Sequence, residues 1–462
     1  MATRCLRTPA LASGRHRHPS PRRIALQALT EVESGRARRL QQVLVLDALH
    51  DRDRAFAREL CQGTERQHLF LDFVLRQLVH KELPQDPEVL SALRLGAYQL
   101  LFLWRVQDHA AVHETVSLVP RHRGFVNGVL RNLARRIQTV APRPGQEQSA
   151  IALPGAAGPR TLVFDKPVLP PADTPEYLAV LHGLPMVLVS RWAENLGADR
   201  ARQVCEAQSA WPAMTLWPTH RAGGADQLAR RLLEEGVTTR PLGEGDLLVW
   251  EGGPSPLGGA AFAEGWLMVQ GPAAHAAAAA VAAQPGDSVL DLCAAPGTKT
   301  VCLAEAVGPA GRVFAFDSDP ERRARIHENL RRVGVEERVQ VLEDLHALDT
   351  GSGSIRRVLV DAPCSNTGVL ARRLEVRRRI SVAAIQELAE AQAELLGQGL
   401  AHCEGPGGRV VYSTCSLEPE ENQAVVAAAV ARGSCRLLED RLALPSAGTG
   451  DGGYFAVLET ML

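Results

Sequence analysis

Two cysteines stand in short polar turns late in the chain, each just after an apolar run. The first lies in Asp361-Ala362-Pro363-Cys364-Ser365-Asn366-Thr367-Gly368, after Val358-Leu359-Val360. The second lies in Ser413-Thr414-Cys415-Ser416, after Val410-Val411-Tyr412. A thiolate adds to an electron-poor ring carbon, and a nearby carboxylate donates or accepts the ring proton. One such cysteine reads equally well as a small buried residue. Two, both in turns and accompanied by Asp361, point to covalent catalysis.

A third loop, Asp291-Leu292-Cys293-Ala294-Ala295-Pro296-Gly297-Thr298-Lys299, follows Val289-Leu290. Its small residues let the backbone approach a ligand at the carboxyl end of a strand. The spacing is neither G-K-[ST] nor G-x-G-x-x-G, so phosphate and dinucleotide readings are weak. A plain strand-to-helix turn is the alternative. Asp317 ends the next apolar run, where an acid accepts both hydroxyls of a ribose. Asp319 is its rival, or a helix cap. Asp344 follows the third run, where a carboxylate receives the amino group of a purine. Each acid alone says little; one per successive strand end says more.

These residues need a sheet whose strand ends share one crevice. From Gln284 onward, strands are predicted at Val289–Leu292, Arg312–Asp317, Val339–Leu342, Val358–Asp361, Arg409–Tyr412 and Tyr454–Leu458. Helices are predicted through Val307 and over Pro320–Val333, Ser381–Cys403 and Pro419–Ala431. Continuous apolar strands separated by helices indicate a parallel sheet covered on both faces. We read residues 266–462 as this α/β, Rossmann-like domain.

Residues 20–140 read as an all-α bundle of five or six helices. Ser20-Pro21 and Asp86-Pro87 have the form of N-cap and first-turn pairs. Residues 141–174 are rich in Pro, Gly and Ala and read as a linker or extended crossing segment without a core. Residues 175–265 read as a small α+β module, with helices at Ala201–Gln208 and Asp226–Glu235 and strands at Met214–Trp217 and Leu247–Trp250. The fold class is therefore multidomain.

Composition sets the limits. A chain of 462 residues is too long for one ordinary core. No run approaches the ~18 apolar residues of a membrane helix. The nine cysteines include no C-x-x-C pair, which argues against zinc and for a reducing compartment, and hence a cytoplasmic location. The net charge of −1 hides an asymmetry: residues 1–141 hold 22 basic and 13 acidic residues, a net of +9, and the remainder carries −10. A basic helical part suits a polyanion such as nucleic acid; a solvated surface is the plainer reading. Arginine dominates the cations, and Lys81, Lys166 and Lys299 are the only lysines. Residues 1–19 read as a basic disordered arm, with a targeting peptide or an overlong start as alternatives.

Together, Asp291-Leu-Cys-Ala-Ala-Pro-Gly297, Asp361-Ala-Pro-Cys-Ser365 and Ser413-Thr-Cys-Ser416 resemble the signature set of RNA (cytosine-5-)-methyltransferases. Leu93–Leu100, His109–Val112 and Phe125–Arg131 resemble the NusB-like RNA-binding domain of the RsmB-type (Sun) 16S rRNA methyltransferases. Asp451-Gly-Gly-Tyr-Phe455 is similar to that family's closing strand. The resemblance spans roughly 20–140 and 175–462. It implies S-adenosyl-L-methionine as methyl donor and ribosomal RNA as partner, with a monomer as the default state. Cys293, Ala294, Ala295, Pro296, Gly297, Thr298 and Lys299 would line the donor site, with Asp317 at its ribose and Asp344 at its adenine. Asp361 would stand between donor and target base, Cys415 would be the nucleophile, and Cys364 would assist product release. Three positions depart from the family: Thr298 replaces a usual Gly, Gly271 a common acid, and Arg372–Arg379 an expected His-Pro-acid stretch. A non-catalytic RNA-binding factor would lack one of the thiols or acids. An amino-methylating enzyme would carry an Asn/Asp-Pro-Pro-aromatic motif instead of Asp-Ala-Pro-Cys.

Overall fold

In the computed structural model the described residues are 20–461, except 48, 156–157, 173, 244, 349–353, 447 and 449–450. The arm at 1–19 lies outside them. The chain divides into two compact units, one ending at Ala172 and one running from 173 to 462.

The first unit is a bundle of α1 (Pro21–Glu33), α2 (Asp51–Arg66), α3 (His68–Arg76), α4 (Pro87–Phe102), α5 (Asp108–Leu118) and α6 (Arg123–Arg135). α4 is apolar nearly all round and buried from Val89 to Leu101, as a central helix must be. Asp86 caps it, accepting from the N–H groups of Glu88 and Val89. Ser20 makes no such bond; α1 starts on Pro21 alone. Arg94 of α4 is buried and held by Asp72 through two bonds of 2.7 Å. The segment expected to be a coreless linker instead supplies β2 (Ala150–Leu153) and β3 (Arg160–Val163), which with β1 (Ile137–Gln138), at the end of the helical segment, form a three-stranded antiparallel sheet in the order β1-β3-β2. Ile151, Leu162 and Phe164 are buried there.

The second unit opens with three helices, α7 (Pro175–His182), α8 (Met186–Leu196) and α9 (Ala198–Ser209). A four-stranded antiparallel sheet follows, built from β4 (Thr215–Pro218), β5 (Thr238–Pro241), β6 (Leu248–Gly252) and β7 (Leu267–Val269) in the order β5-β6-β4-β7. α10 (Ala225–Glu234) and the short α11 (Ala260–Ala263) lie between its strands in sequence. The α+β expectation describes this sheet but not α7–α9. Those helices share a core with Leu370, Val376 and Leu417, beyond both cysteine turns.

After α12 (Pro272–Ala280) the large sheet begins. Its strands are β8 (Ser288–Asp291), β9 (Arg312–Phe316), β10 (Val339–Leu342), β11 (Arg357–Asp361), β12 (Arg409–Thr414), β13 (Cys435–Ala443) and β14 (Gly453–Thr460). Between them run α13 (Thr298–Val307), α14 (Pro320–Val333), the short α15 (Val376–Arg379), α16 (Val382–His402) and α17 (Gln423–Ala431). The strand order is β10-β9-β8-β11-β12-β14-β13, and β14 alone runs antiparallel to the parallel core, with β13 pairing on it as the edge. Val289, Val313, Leu359 and Val411 face one buried layer; Leu290, Phe314, Val358 and Val410 face the other. Order reverses between β8 and β11, so a crevice opens at their carboxyl ends. Asp291, Asp361 and Thr414 are the last residues of three adjacent strands.

One close approach joins the loops above this crevice. Gly368 N–H donates to the Cys415 carbonyl at 2.9 Å, and Gly452 N–H donates to the Gly368 carbonyl at 2.8 Å. A Cβ at 368 would stand 2.7 Å from the Gly452 carbonyl oxygen and 2.9 Å from that of Cys415. All these neighbours are backbone. Gly368→Ala is therefore expected to cost ~1–3 kcal/mol by overpacking, read as a lowered Tm; an unchanged Tm would show that the loops give way freely.

Candidate active site

β8 delivers the small-residue loop. Gly297 caps α13 at φ +96, where a Cβ would meet Ile326 at 3.2 Å; only glycine takes that conformation without strain. Asp317 is 3% exposed and fastens the loop, its Oδ2 accepting from Ala295 N–H at 3.1 Å. Its Oδ1 accepts from Asp319 N–H at 3.0 Å. Asp319 itself caps α14, accepting from Glu321 and Arg322 N–H. An open cleft of about 160 Å³ lies at the loop. Cys293, Ala294, Ala295, Pro296, Thr298, Lys299 and Asp361 line it, together with Gln270, Gly271 and Asp291. Asp317 lies behind this wall. Asp344 is exposed and caps a single turn, accepting from His346 N–H at 3.0 Å; it does not reach the cleft wall.

Beside the cleft, the two cysteine turns bring their sulfurs to 3.2 Å. Cys415 Sγ also donates to Asn366 Oδ1 at 3.3 Å. The Asn366 amide is oriented by its Nδ2, which donates to the Cys364 carbonyl at 2.6 Å. The hydrogen bond to Cys415, burial, and the negative charge of Cys415 and Glu421 together push the Cys364 thiol well above the ordinary thiol range. The surroundings of Cys364 therefore favour its protonated thiol.

Lys299 bridges cleft and thiols. Its Nζ meets Asp361 Oδ2 at 2.6 Å, and Ser413 Oγ donates to Asp361 Oδ1 at 2.7 Å. Burial disfavours the ammonium, yet Asp361, with help from Cys415 and Asp291, holds Lys299 above its usual value. Burial pushes the Cys293 thiol up, with the nearby acids adding to it, so Cys293 is a neutral wall. Asp291 is fully buried, and burial raises its carboxyl to about 7 although Thr300 Oγ1 donates to its Oδ2 at 2.7 Å. Among the described residues, Asp291 Oδ1 and Gln270 Nε2 have no hydrogen-bond partner. Both belong to residues of the cleft wall, one an acceptor and one a donor.

Two of the sequence departures meet at one residue, Asp451. A side chain at Gly271 would meet Asp451 Oδ2 at 2.5 Å. Arg372 Nε holds that carboxylate at 2.7 and 2.9 Å, and Arg372 Nη2 donates to the Ala213 carbonyl at 2.5 Å. Asp451 thus stands where a side chain at 271 would reach, with Arg372 as its partner. Arg377 is buried and donates to the Gly183 and Gln208 carbonyls. Gln208 in turn donates to the Thr367 carbonyl and accepts from Ala371 N–H. The arginine stretch therefore ties the Cys364 turn to α7–α9.

The residues missed from sequence are Gln270, Asp291, Asn366 and Glu421. Asp291 carried a signal, as the last residue of a strand entering a small-residue loop. The other three act through contacts that close only in the fold.

Known proteins resemble this arrangement. A family model described as 16S rRNA methyltransferase RsmB/F matches residues 278–448, and a NusB family model matches 19–135. Ribosomal RNA small subunit methyltransferase B of Klebsiella pneumoniae is 31% identical over 456 residues, covering 95% of this chain and 97% of that one. The protein of that name from Escherichia coli O1:K1 is also 31% identical, covering 95% and 98%. This chain belongs to the ribosomal RNA small subunit methyltransferase B family. The RsmB/F match takes in all three loops that bear the candidate residues, and the NusB match takes in the helical bundle. Two solved structures share the fold. The crystal structure of PH0851 has a TM-score of 0.71 at 23% identity, covering 95% of this chain and 99% of that one. NSun6 from Pyrococcus horikoshii with SFG has a TM-score of 0.55 at 18% identity, covering 61% and 100%. The second unit of this family member is thus a Rossmann-like methyltransferase fold carrying a smaller sheet, and the first is a NusB helical domain with an added three-stranded sheet.

The raised Asp291 carboxyl gives a test in the free protein. Its folded value lies above the unfolded one, so its contribution to stability is full at acid pH and is lost as pH rises through about 7. Asp291→Asn removes that titration. The Tm of the variant relative to wild type is expected to rise between pH 5 and pH 8 in thermal melts. A pH-independent difference would remove the burial argument.

Proposed function

We propose that this protein transfers a methyl group from S-adenosyl-L-methionine to carbon 5 of a cytidine in 16S ribosomal RNA, through a covalent adduct on Cys415. The observation that carries the reading is the 3.2 Å approach of Cys364 and Cys415 beside the Lys299–Asp361 pair, on the rim of the cleft. The cleft residues suit the donor: an unpartnered acceptor at Asp291 and an unpartnered donor at Gln270 match the ammonium and carboxylate of an amino-acid tail. When bound, the donor supplies an electrophilic methyl group. Cys293, Ala294, Ala295, Pro296, Gly297, Thr298 and Lys299 form its loop, and Asp317 and Asp344 stand at the strand ends beyond it, toward ribose and adenine.

Carbon 5 of cytosine is too weak a nucleophile to take a methyl group unaided. Cys415 thiolate bonds to carbon 6, and the ring electrons move onto carbon 5. Asp361, held by Lys299 and Ser413, stabilises the adduct at ring nitrogen 3. After methylation the carbon-5 proton leaves to solvent, the ring double bond re-forms, and the bond to Cys415 breaks with its electrons on sulfur. Cys364, a neutral thiol at 3.2 Å, donates to that sulfur as it departs. The target base must leave its stack to reach the thiols, at a cost of a few kcal/mol in a duplex and less in a loop.

We assign the substrate contacts to a basic NusB-like domain at 20–140 and a module at 175–265, joined through 141–174, with catalysis in 266–462. Ribosomal RNA is then the partner, the protein a cytoplasmic monomer. Among the described residues no helix is long and apolar enough to cross a membrane.

Cys415→Ala is expected to abolish methyl transfer while donor binding survives, and Cys364→Ala to accumulate a covalent protein–RNA adduct. Normal turnover by Cys415→Ala would remove the nucleophile. For the substrate, bisulfite mapping of 16S rRNA from cells lacking this protein is expected to lose a 5-methylcytidine; an unchanged pattern would reject ribosomal RNA as the target.

A further inference from the structure

The geometry points to Glu421 as a positioning residue: its carboxylate clamps both cysteine turns and so holds the two sulfurs at reacting distance. This inference rests on the covalent reading above. Glu421 looks in the sequence like an acid at a helix start, where it would serve the helix dipole. The predicted helix over Pro419–Ala431 does not begin there. Pro419–Glu421 form a separate single turn and α17 starts only at Gln423, which sends Glu421 inward.

The side chain is fully buried. Its Oε1 accepts from Ser365 N–H at 2.8 Å and from Gln392 Nε2 at 2.9 Å. Its Oε2 accepts from the hydroxyls of Ser365 and Ser416. Ser365 follows Cys364 and Ser416 follows Cys415, so one carboxylate is bonded to the residue next to each thiol. A carboxylate offers about four acceptor sites, and all four are used. The clamp is itself anchored: Tyr412 OH donates to the Glu421 carbonyl at 2.5 Å, and Gln392 Nε2 also donates to the Pro363 carbonyl at 2.9 Å. Backbone contacts join the turns before Cys364, where Ala362 N–H donates to the Ser413 carbonyl at 2.9 Å, and beyond Asn366, through Gly368; Ser365 lies between them. Without Glu421, the buried Ser365 N–H loses its acceptor, and the two buried hydroxyls keep as acceptors only each other and Thr367 Oγ1, each contact at 3.2 Å.

Chemistry separates the substitutions. Glutamine keeps one oxygen for Ser365 N–H and Gln392, and turns its amide hydrogens toward hydroxyls that can rotate to accept. Alanine removes the clamp. Aspartate is one methylene too short to reach both serines.

The test reads the distance between the sulfurs without RNA. Glutathione disulfide is attacked by Cys415 thiolate, releasing one glutathione and leaving a mixed disulfide. Cys364 then attacks the Cys415 sulfur and releases the second glutathione. Both cysteines are oxidised, the glutathione disulfide is reduced, and the two thiol protons end on the two glutathiones released. Peptide mapping over time follows the Cys364–Cys415 bond, and thermal melts check folding. Wild type is expected to close the bond and Glu421→Gln to stay close to it. Glu421→Ala is expected to close it roughly tenfold more slowly, because disulfide formation needs close approach of the two Cβ atoms. Its kcat should fall about 100-fold, the scale of a 1 Å misplacement, with KM for RNA retained. A folded Glu421→Ala that closes the bond at the wild-type rate overturns the clamp, as does a wild type that never closes it. If Glu421→Ala does not fold, Glu421→Asp, too short to reach both serines, takes its place: slower closure supports the clamp and unchanged closure overturns it. Activity in Cys415→Ala would sink the catalytic reading but leave these rates untouched.

Discussion

The rest of the second unit is arranged around two sulfurs 3.2 Å apart on turns that are 51 residues apart in the chain. Turns are ordinarily exposed and mobile, and the entropy of fixing each residue is ~1–2 kcal/mol. The fold meets that cost from three sides. β11 and β12 are hydrogen-bonded neighbours, so both turns leave the sheet at one place. Glu421 bonds to both turns. α8 holds the chain that leaves the Cys415 turn, with Arg191 Nε and Trp192 Nε1 donating to buried Glu418 at 2.6 and 3.1 Å. Buried polar groups that are all satisfied specify one geometry rather than an ensemble.

Charge follows the same plan. Lys299, the one lysine in a loop of small residues, is drawn to Asp361 and stands between the cleft and the thiols. Asp291 sits deeper, on the strand end behind it, in a site that burial makes poor for an unpaired charge. A cationic ligand in the cleft would favour its ionised form, so ligand binding and protonation are linked there. The second unit thus keeps the paired thiols beside the cleft and the acids Asp291 and Asp361 at its wall.

The sequence made the parallel core legible because fully buried strands are continuous apolar runs, and their ends carry the chemistry. β8, β11 and β12 and the loops after them stand where the residue pattern predicts. What it hid has physical causes. β1 to β3 are four residues or fewer, too short to show alternation, in a stretch whose proline and glycine suggest irregular chain. β13 is an exposed edge strand rich in charge, which blunts edge-to-edge pairing and also erases the apolar signal. α7–α9 were unassigned or merged with the α+β module because their partners, Leu370, Val376 and Leu417, are far away in the chain. Asp319 competed with Asp317 until the fold showed Asp319 capping α14. Asn366 and Glu421 were illegible for the same reason as one another: each acts on a turn that another strand supplies.

The central claim is that Cys415 forms the bond to the base. RNA carrying 5-fluorocytidine at the target position tests it most directly, because a fluorine on carbon 5 cannot leave as a proton does and the adduct cannot resolve. Incubation with S-adenosyl-L-methionine, followed by peptide mapping, locates the attachment. The account expects the nucleotide on the peptide containing Cys415, with the added methyl group. Attachment at Cys364, or no covalent product from active enzyme, would contradict it.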